Sequence, residues 1–64
     1  MKELIKLLNE GWRVKSGFES EGKKIVKLTR RPEVDEETKE MLFPIAFIIE
    51  NKLGEIEVVK GYSC

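Results

Sequence analysis

The segment that most constrains the fold is an uninterrupted apolar run from Pro44 to Ile49 in a chain of 64 residues. Successive side chains of a strand point to opposite faces, so this run predicts a strand at 41–50 with two apolar faces. Alternation divides its side chains into two sets: Ile45, Phe47 and Ile49 on one face, and Ala46 and Ile48 on the other. A strand of this kind belongs in the middle of a sheet and needs a cover on each side.

Residues 2–10 predict an amphipathic helix that can cover one of those faces. Apolar side chains recur at helical spacing in and beside it: Met1, Leu4, Ile5, Leu7 and Leu8. Gly11 follows the helix at the position where a left-handed residue commonly ends one. A helix this short is not stable alone in water, so we expect it to pack on the sheet.

In the segments 12–18 and 23–30, successive side chains alternate between an apolar face and a more polar face. This alternation predicts a hairpin of two half-buried strands. We expect a three-residue loop with Gly22 in the left-handed conformation, because this loop keeps the apolar rows of both strands on one face. The expected register pairs Val14 with Leu28, Ser16 with Val26, and Lys15 with Lys27.

The acidic segment 31–40 is compatible with a loop or a short helix capped by Asp35, and we favour a long hairpin loop with at most one helical turn. A tight turn at 51–54 and a last strand at 55–61 complete the chain. The predicted fold class is α+β, a single domain over residues 1–64. Its N-terminal helix packs on one face of a four-stranded antiparallel meander sheet, in the order α-β-β-β-β.

A domain of this size has little room for a core. We expect twelve apolar side chains in it: Leu4, Leu8, Trp12, Val14, Phe18, Val26, Leu28, Ile45, Phe47, Ile49, Ile56 and Val58. Small domains usually gain further stability from disulfides, a metal or a partner subunit. Cys64 is the only cysteine, so an intrachain disulfide and a cysteine-based zinc site are excluded, and a partner subunit remains. A lone thiol favours a cytoplasmic location, and a disulfide between two chains is the alternative.

The residue types that usually carry catalysis are scarce. The chain has no histidine, its only aspartate is Asp35, and its five glycines are scattered and form no phosphate loop. We therefore predict a non-enzymatic protein with no catalytic residue, cofactor or metal, and the short apolar segments predict no membrane partner. Lysine and glutamate make up twenty residues while glutamine is absent, a thermophilic type of composition.

Charge is divided along the chain, with a net of +5 over residues 1–31 and −5 over residues 32–64. On the sheet face away from the helix, this division predicts an apolar strip between a basic and an acidic stripe. Such a face can be a solvated surface or a homodimer interface. The candidate interface residues are Ile25, Ala46, Ile48, Val59, Glu50 and Glu57. A two-fold axis along the strands would set basic stripe against acidic stripe.

The alternative function is nucleic-acid binding by the basic first hairpin. Seven side chains could contact phosphates: Arg13, Lys15, Lys23, Lys24, Lys27, Arg30 and Arg31. Sheet surfaces that bind single strands also present aromatic side chains, and alternation places Trp12 and Phe18 on the core face instead. Protein contacts, with the protein itself or with another partner, are therefore the favoured function, and nucleic acid is the second.

Overall fold

A computed structural model describes residues 2–63 of the chain, and the expectations for Met1 and Cys64 lie outside this part. The described part contains one helix and five strands: α1 (Lys2–Asn9), β1 (Arg13–Ser20), β2 (Lys23–Thr29), β3 (Glu33–Val34), β4 (Met41–Glu50) and β5 (Ile56–Ser63). All the strand pairs are antiparallel. The predicted α+β fold, a helix followed by an antiparallel sheet, is confirmed.

The sheet is a meander whose central strand is β4, which pairs with β2 and with β5. The Arg30 N–H donates to the Pro44 carbonyl oxygen at 3.4 Å, and Glu33 then pairs with Leu42. The short strand β3 therefore continues β2 along the same edge of β4. The segment 33–40 is thus a brief strand and a turn, in which the Asp35 carboxylate accepts the Glu37 N–H at 2.9 Å.

The end of α1 is fixed by its backbone hydrogen bonds. The Trp12 N–H donates to the Leu7 carbonyl at 3.0 Å, and the Gly11 N–H donates to the Leu8 carbonyl at 3.2 Å. This is the Schellman pattern, and it requires a left-handed residue, which Gly11 supplies with a φ of 95°. The same turn brings Trp12 back into the core beside Leu7.

Replacing Gly11 with alanine should lower the free energy of unfolding by about 1 kcal/mol, because a left-handed φ is strained for any residue with a Cβ. The nearest atom to the added Cβ would be the Arg30 Cδ at 3.9 Å, so the cost is conformational rather than steric. Gly61→Ala is the matched control, since its φ is not left-handed and its Cβ would meet nothing within 4 Å. Equal denaturation midpoints for the two variants would contradict this role for Gly11.

The first hairpin differs from the expected one. Its loop has two residues, Glu21 and Gly22, both with positive φ, and this pairs Ser20 with Lys23. The predicted pair of Val14 with Leu28 is present, but the ladder shifts by one residue at a bulge between Val14 and Ser16. The register beyond the bulge is therefore different: Ser16 pairs with Lys27, Gly17 with Val26, and Phe18 with Ile25. The bulge moves Phe18 to the face away from the helix.

The two faces of β4 are exchanged relative to the prediction. Ala46 pairs with Leu28 and Ile48 pairs with Val26, so the side chains of these pairs share one face. Ala46 and Ile48 are 0% exposed and belong to the same core cluster as Leu7, which shows that this face lies under the helix. The set predicted for the core, Ile45, Phe47 and Ile49, lies on the opposite face.

The core is smaller than predicted. Five side chains of the described part are both buried and apolar: Leu7, Trp12, Leu28, Ala46 and Ile48. Three more pack against them as partly buried side chains: Leu4, Val26 and Ile56. Four of the expected core residues are exposed instead: Leu8, Val14, Phe18 and Val58. The helix thus covers only the middle of one sheet face.

Candidate interaction surface

The sheet face away from α1 carries a strip of large apolar side chains. We call it the outer strip: Phe18, Ile25, Ile45, Phe47, Ile49 and Val59. The pairing places these residues side by side, because directly paired residues of antiparallel strands share a face. Within residues 2–63 the only helix lies on the other face, so no element of the described part covers this strip.

Two rows across the sheet form the centre of the outer strip. In one row, Phe18 pairs with Ile25, and Ile25 pairs with Ile49. In the next row, Phe47 lies between Lys27 and Val59. Aromatic and β-branched side chains in such cross-strand rows stabilise one another and so stabilise the pairing of β4 with its neighbours.

The members of the strip are shielded to different extents. Phe18 is 50% exposed and Val59 is 43% exposed, whereas Ile25, Phe47 and Ile49 are half-buried by their neighbours in the sheet. Together these side chains form a contiguous apolar surface on the face away from the helix.

Charged side chains border the strip on both sides. On the β1–β2 side, the same alternation places Arg13, Lys23 and Lys27 on this face. On the β5 side it places Glu57, which pairs with Ile49. The outer face therefore carries three basic residues on β1 and β2, of which Lys27 lies directly beside Phe47, and one acidic residue, Glu57, on β5.

The six predicted interface residues are not all on this face. Ile25, Val59 and Glu57 lie on the outer face, where alternation placed them. Ala46 and Ile48 do not, because they are buried under the helix. Glu50 pairs with Lys24 and with Ile56, on the helix side of the sheet.

The remaining members of the outer strip were missed as surface residues. The signal for them was present, because alternation had already grouped Ile45, Phe47 and Ile49 together. It could not say which apolar face of β4 the single helix would cover. The small side chain of Ala46 was the available clue, since a helix can approach a sheet closely above a small residue.

The seven basic residues of the predicted nucleic-acid surface do not form one surface. Arg13, Lys23 and Lys27 share the outer face, while Lys24 lies on the helix face and Lys15 occupies the bulge. Arg30 also lies on the helix side, with its guanidinium carbon 5.4 Å from the centroid of the Trp12 ring. Arg13, Arg30 and Arg31 do meet, however, at one notch beside the end of α1.

Two other kinds of site are absent from the described residues. No three side chains of types that bind metals gather there as a ligand set. No helix in residues 2–63 has both the length and the apolar character needed to cross a membrane.

Comparison of the chain with protein-family models, with curated proteins and with solved structures finds no match.

Proposed function

We propose that this protein is a non-catalytic cytoplasmic protein that works through protein contacts, as a homodimer joined at the outer strip. The observation that carries the proposal is the distribution of apolar side chains. Five of them form the core, whereas six large ones, two of them exposed, lie together on the outer strip with no element of the described part over them. The helix covers one face of the sheet and forms the core there. A second sheet packed on the outer strip would bury the other face in the same way.

The size of the outer face fits a second copy of the chain. Four strands about 4.8 Å apart and about seven residues long, at ~3.3 Å each, give a footprint of roughly 400–450 Å² in projection. The relief of the side chains raises the accessible area above this figure. Counted over both partners, the buried area is then about 1,000 Å², the level at which specific interfaces begin.

The distribution of charge favours one orientation of the two sheets. A two-fold axis along the strands places the β5 side of one sheet over the β1–β2 side of its mate. Glu57 of one copy then lies near Lys23 and Lys27 of the other, which is electrostatically favourable. An axis across the strands would place each basic side over the mate's basic side. The sheets would pack face to face about 10 Å apart, as in a β-sandwich.

Nucleic-acid binding is the second candidate function. The observation in its favour is the meeting of Arg13, Arg30 and Arg31 at one notch. Because the other basic side chains point in several directions and no aromatic side chain lines the notch, we rank this function below the homodimer.

Association of this kind makes thermal stability depend on protein concentration. Because only the folded protein presents the outer strip, the melting temperature of the wild-type protein should rise steadily as its concentration is increased. Circular dichroism and scanning calorimetry over a wide concentration range would measure it. A melting temperature that stays constant over that range would indicate a solvated outer face and would contradict the proposal.

A further inference from the structure

A notch of about 590 Å³ lies where the first hairpin meets the end of α1. We call it the arginine notch, and it is lined by Glu10, Gly11, Arg13, Thr29, Arg30, Arg31 and Pro32. Three of its seven residues are arginines, and one is acidic. It is separate from the outer strip, with which it shares no residue.

The sequence explains why the three arginines converge. Arg13 begins β1 and pairs with Thr29, the last residue of β2. The chain continues into Arg30 and Arg31, and Pro32 then interrupts the strand. Gly11 adds no side chain on the helix side of the notch, so the aliphatic part of Arg30 can lie beside the backbone there.

The arginines differ in how they are held. The Arg30 guanidinium donates to the Glu33 carboxylate at 2.7 Å and lies over Trp12, and these two contacts fix its position. Arg13 and Arg31 take part in none of the ion pairs found among residues 2–63. Their donors are available to a ligand.

The one acidic side chain of the notch does not cancel this charge. Glu10 Oε1 lies 3.9 Å from the Lys60 Nζ, on the β5 side of the helix. Even when Glu10 is counted against the three arginines, the residues that line the notch have a net charge of +2. This charge favours an anion with several acceptor oxygens, because each guanidinium presents a planar fork of N–H donors.

We propose that the arginine notch binds a phosphate group. The guanidinium N–H groups of Arg13 and Arg31 would donate to the phosphate oxygens. Arg30 adds a positive charge in a fixed position, and the Thr29 hydroxyl adds another hydrogen-bond donor. The phosphate can belong to a small phosphorylated compound or to a nucleic-acid backbone, which share this chemistry. None of the notch residues belongs to the outer strip, but Arg13 and Thr29 lie on the same face of the sheet, beside Ile45.

The test is a titration of ¹⁵N-labelled protein followed by NMR, with inorganic phosphate and with an oligonucleotide that lacks terminal phosphates. We expect saturable shifts at the Gly11, Thr29 and Arg31 amides. Arg31→Glu should weaken binding at least about tenfold, the scale of one lost charge-assisted hydrogen bond. Lys24→Glu is the control, because it makes the same change of charge at the opposite end of the hairpin, on the helix face and outside the proposed dimer interface. Arg31→Gln is a second variant that removes the charge without reversing it.

The outcomes separate the sources of the phosphate. Saturable binding of inorganic phosphate that Arg31→Glu abolishes supports a site for small phosphorylated compounds. Tighter binding of the oligonucleotide, lost in the same variant, supports the site and assigns it to a nucleic-acid backbone. Absence of saturable shifts with both probes would overturn the proposal. So would equal weakening by Arg31→Glu and Lys24→Glu, which would show diffuse attraction to a basic hairpin.

Discussion

Replacing Phe47 with lysine should dissociate the homodimer while the sheet stays folded. Phe47 lies at the centre of the outer strip, between Lys27 and Val59. In the proposed orientation, the new ammonium group would be enclosed near Lys27 of its own chain and Lys27 of the partner. Burying an unpaired charge at such a place costs several kcal/mol, so the dimer dissociation constant should rise by about 100-fold or more.

The matched control for this variant is Leu53→Lys. Leu53 is 83% exposed in the turn before β5, so the same gain of charge there should leave the oligomeric state unchanged. Sedimentation velocity would measure the mass of each variant, and far-ultraviolet circular dichroism would verify that each is folded. A Phe47→Lys variant that keeps the mass of the wild-type dimer would remove the outer strip as the interface.

Replacing Ile48 with alanine should have a different effect, a loss of folding stability rather than a loss of association. Ile48 is fully buried between the sheet and the helix, in the same cluster as Leu7 and Leu28. Truncating a buried isoleucine costs about 2–5 kcal/mol, because apolar contacts are lost and a cavity remains. The total stability expected for 64 residues is only about 3–10 kcal/mol, so the variant should be close to unfolding.

The neighbouring residue provides the comparison for Ile48. Ile49→Ala makes the same chemical change on the outer face, where the side chain is half-buried by its neighbours in the sheet. Urea denaturation of both variants should be measured in the Phe47→Lys background, so that association does not contribute. We expect the loss in Ile48→Ala to be at least twice that in Ile49→Ala. A larger loss in Ile49→Ala would place the helix on the other face of β4.

Local patterns in the sequence predicted the element types well. The helix, its end at Gly11 and the long strand at 41–50 all follow from periodicity and from residues with special backbone preferences. The register of the first hairpin was not predictable in the same way. A bulge between Val14 and Ser16 changes the face of every later residue in β1, and no residue there is a distinctive bulge signal.

The orientation of β4 was the main error, and its cause is physical. When only one face of a strand is apolar, the sequence alone shows which face meets the core. Both faces of β4 are apolar, with Ile45, Phe47 and Ile49 on one and Ala46 and Ile48 on the other, so the sequence of β4 does not choose between them. Choosing between them depends on how the helix and Trp12 pack against the sheet, which involves residues far apart in the chain. Of the two acidic residues predicted for the interface, Glu50 changed face together with Ala46 and Ile48, whereas Glu57 stayed on the outer face.

The notch could be predicted in part. Arg30 and Arg31 are adjacent in the sequence, and pairing Val14 with Leu28 already placed Arg13 opposite Thr29. The contribution of α1 to the notch could not be predicted from local patterns. The end of the helix lies beside the hairpin because Trp12 packs in the core next to Leu7, and that packing is a tertiary contact.

The most direct test of the central claim is sedimentation equilibrium of the wild-type protein, carried out over a range of concentrations. A reductant must be present, so that a disulfide between two copies of Cys64 does not contribute. The homodimer predicts a mass that approaches twice that of one chain as the concentration rises. A mass equal to one chain at every concentration would contradict the account, because the outer strip would then remain exposed to solvent.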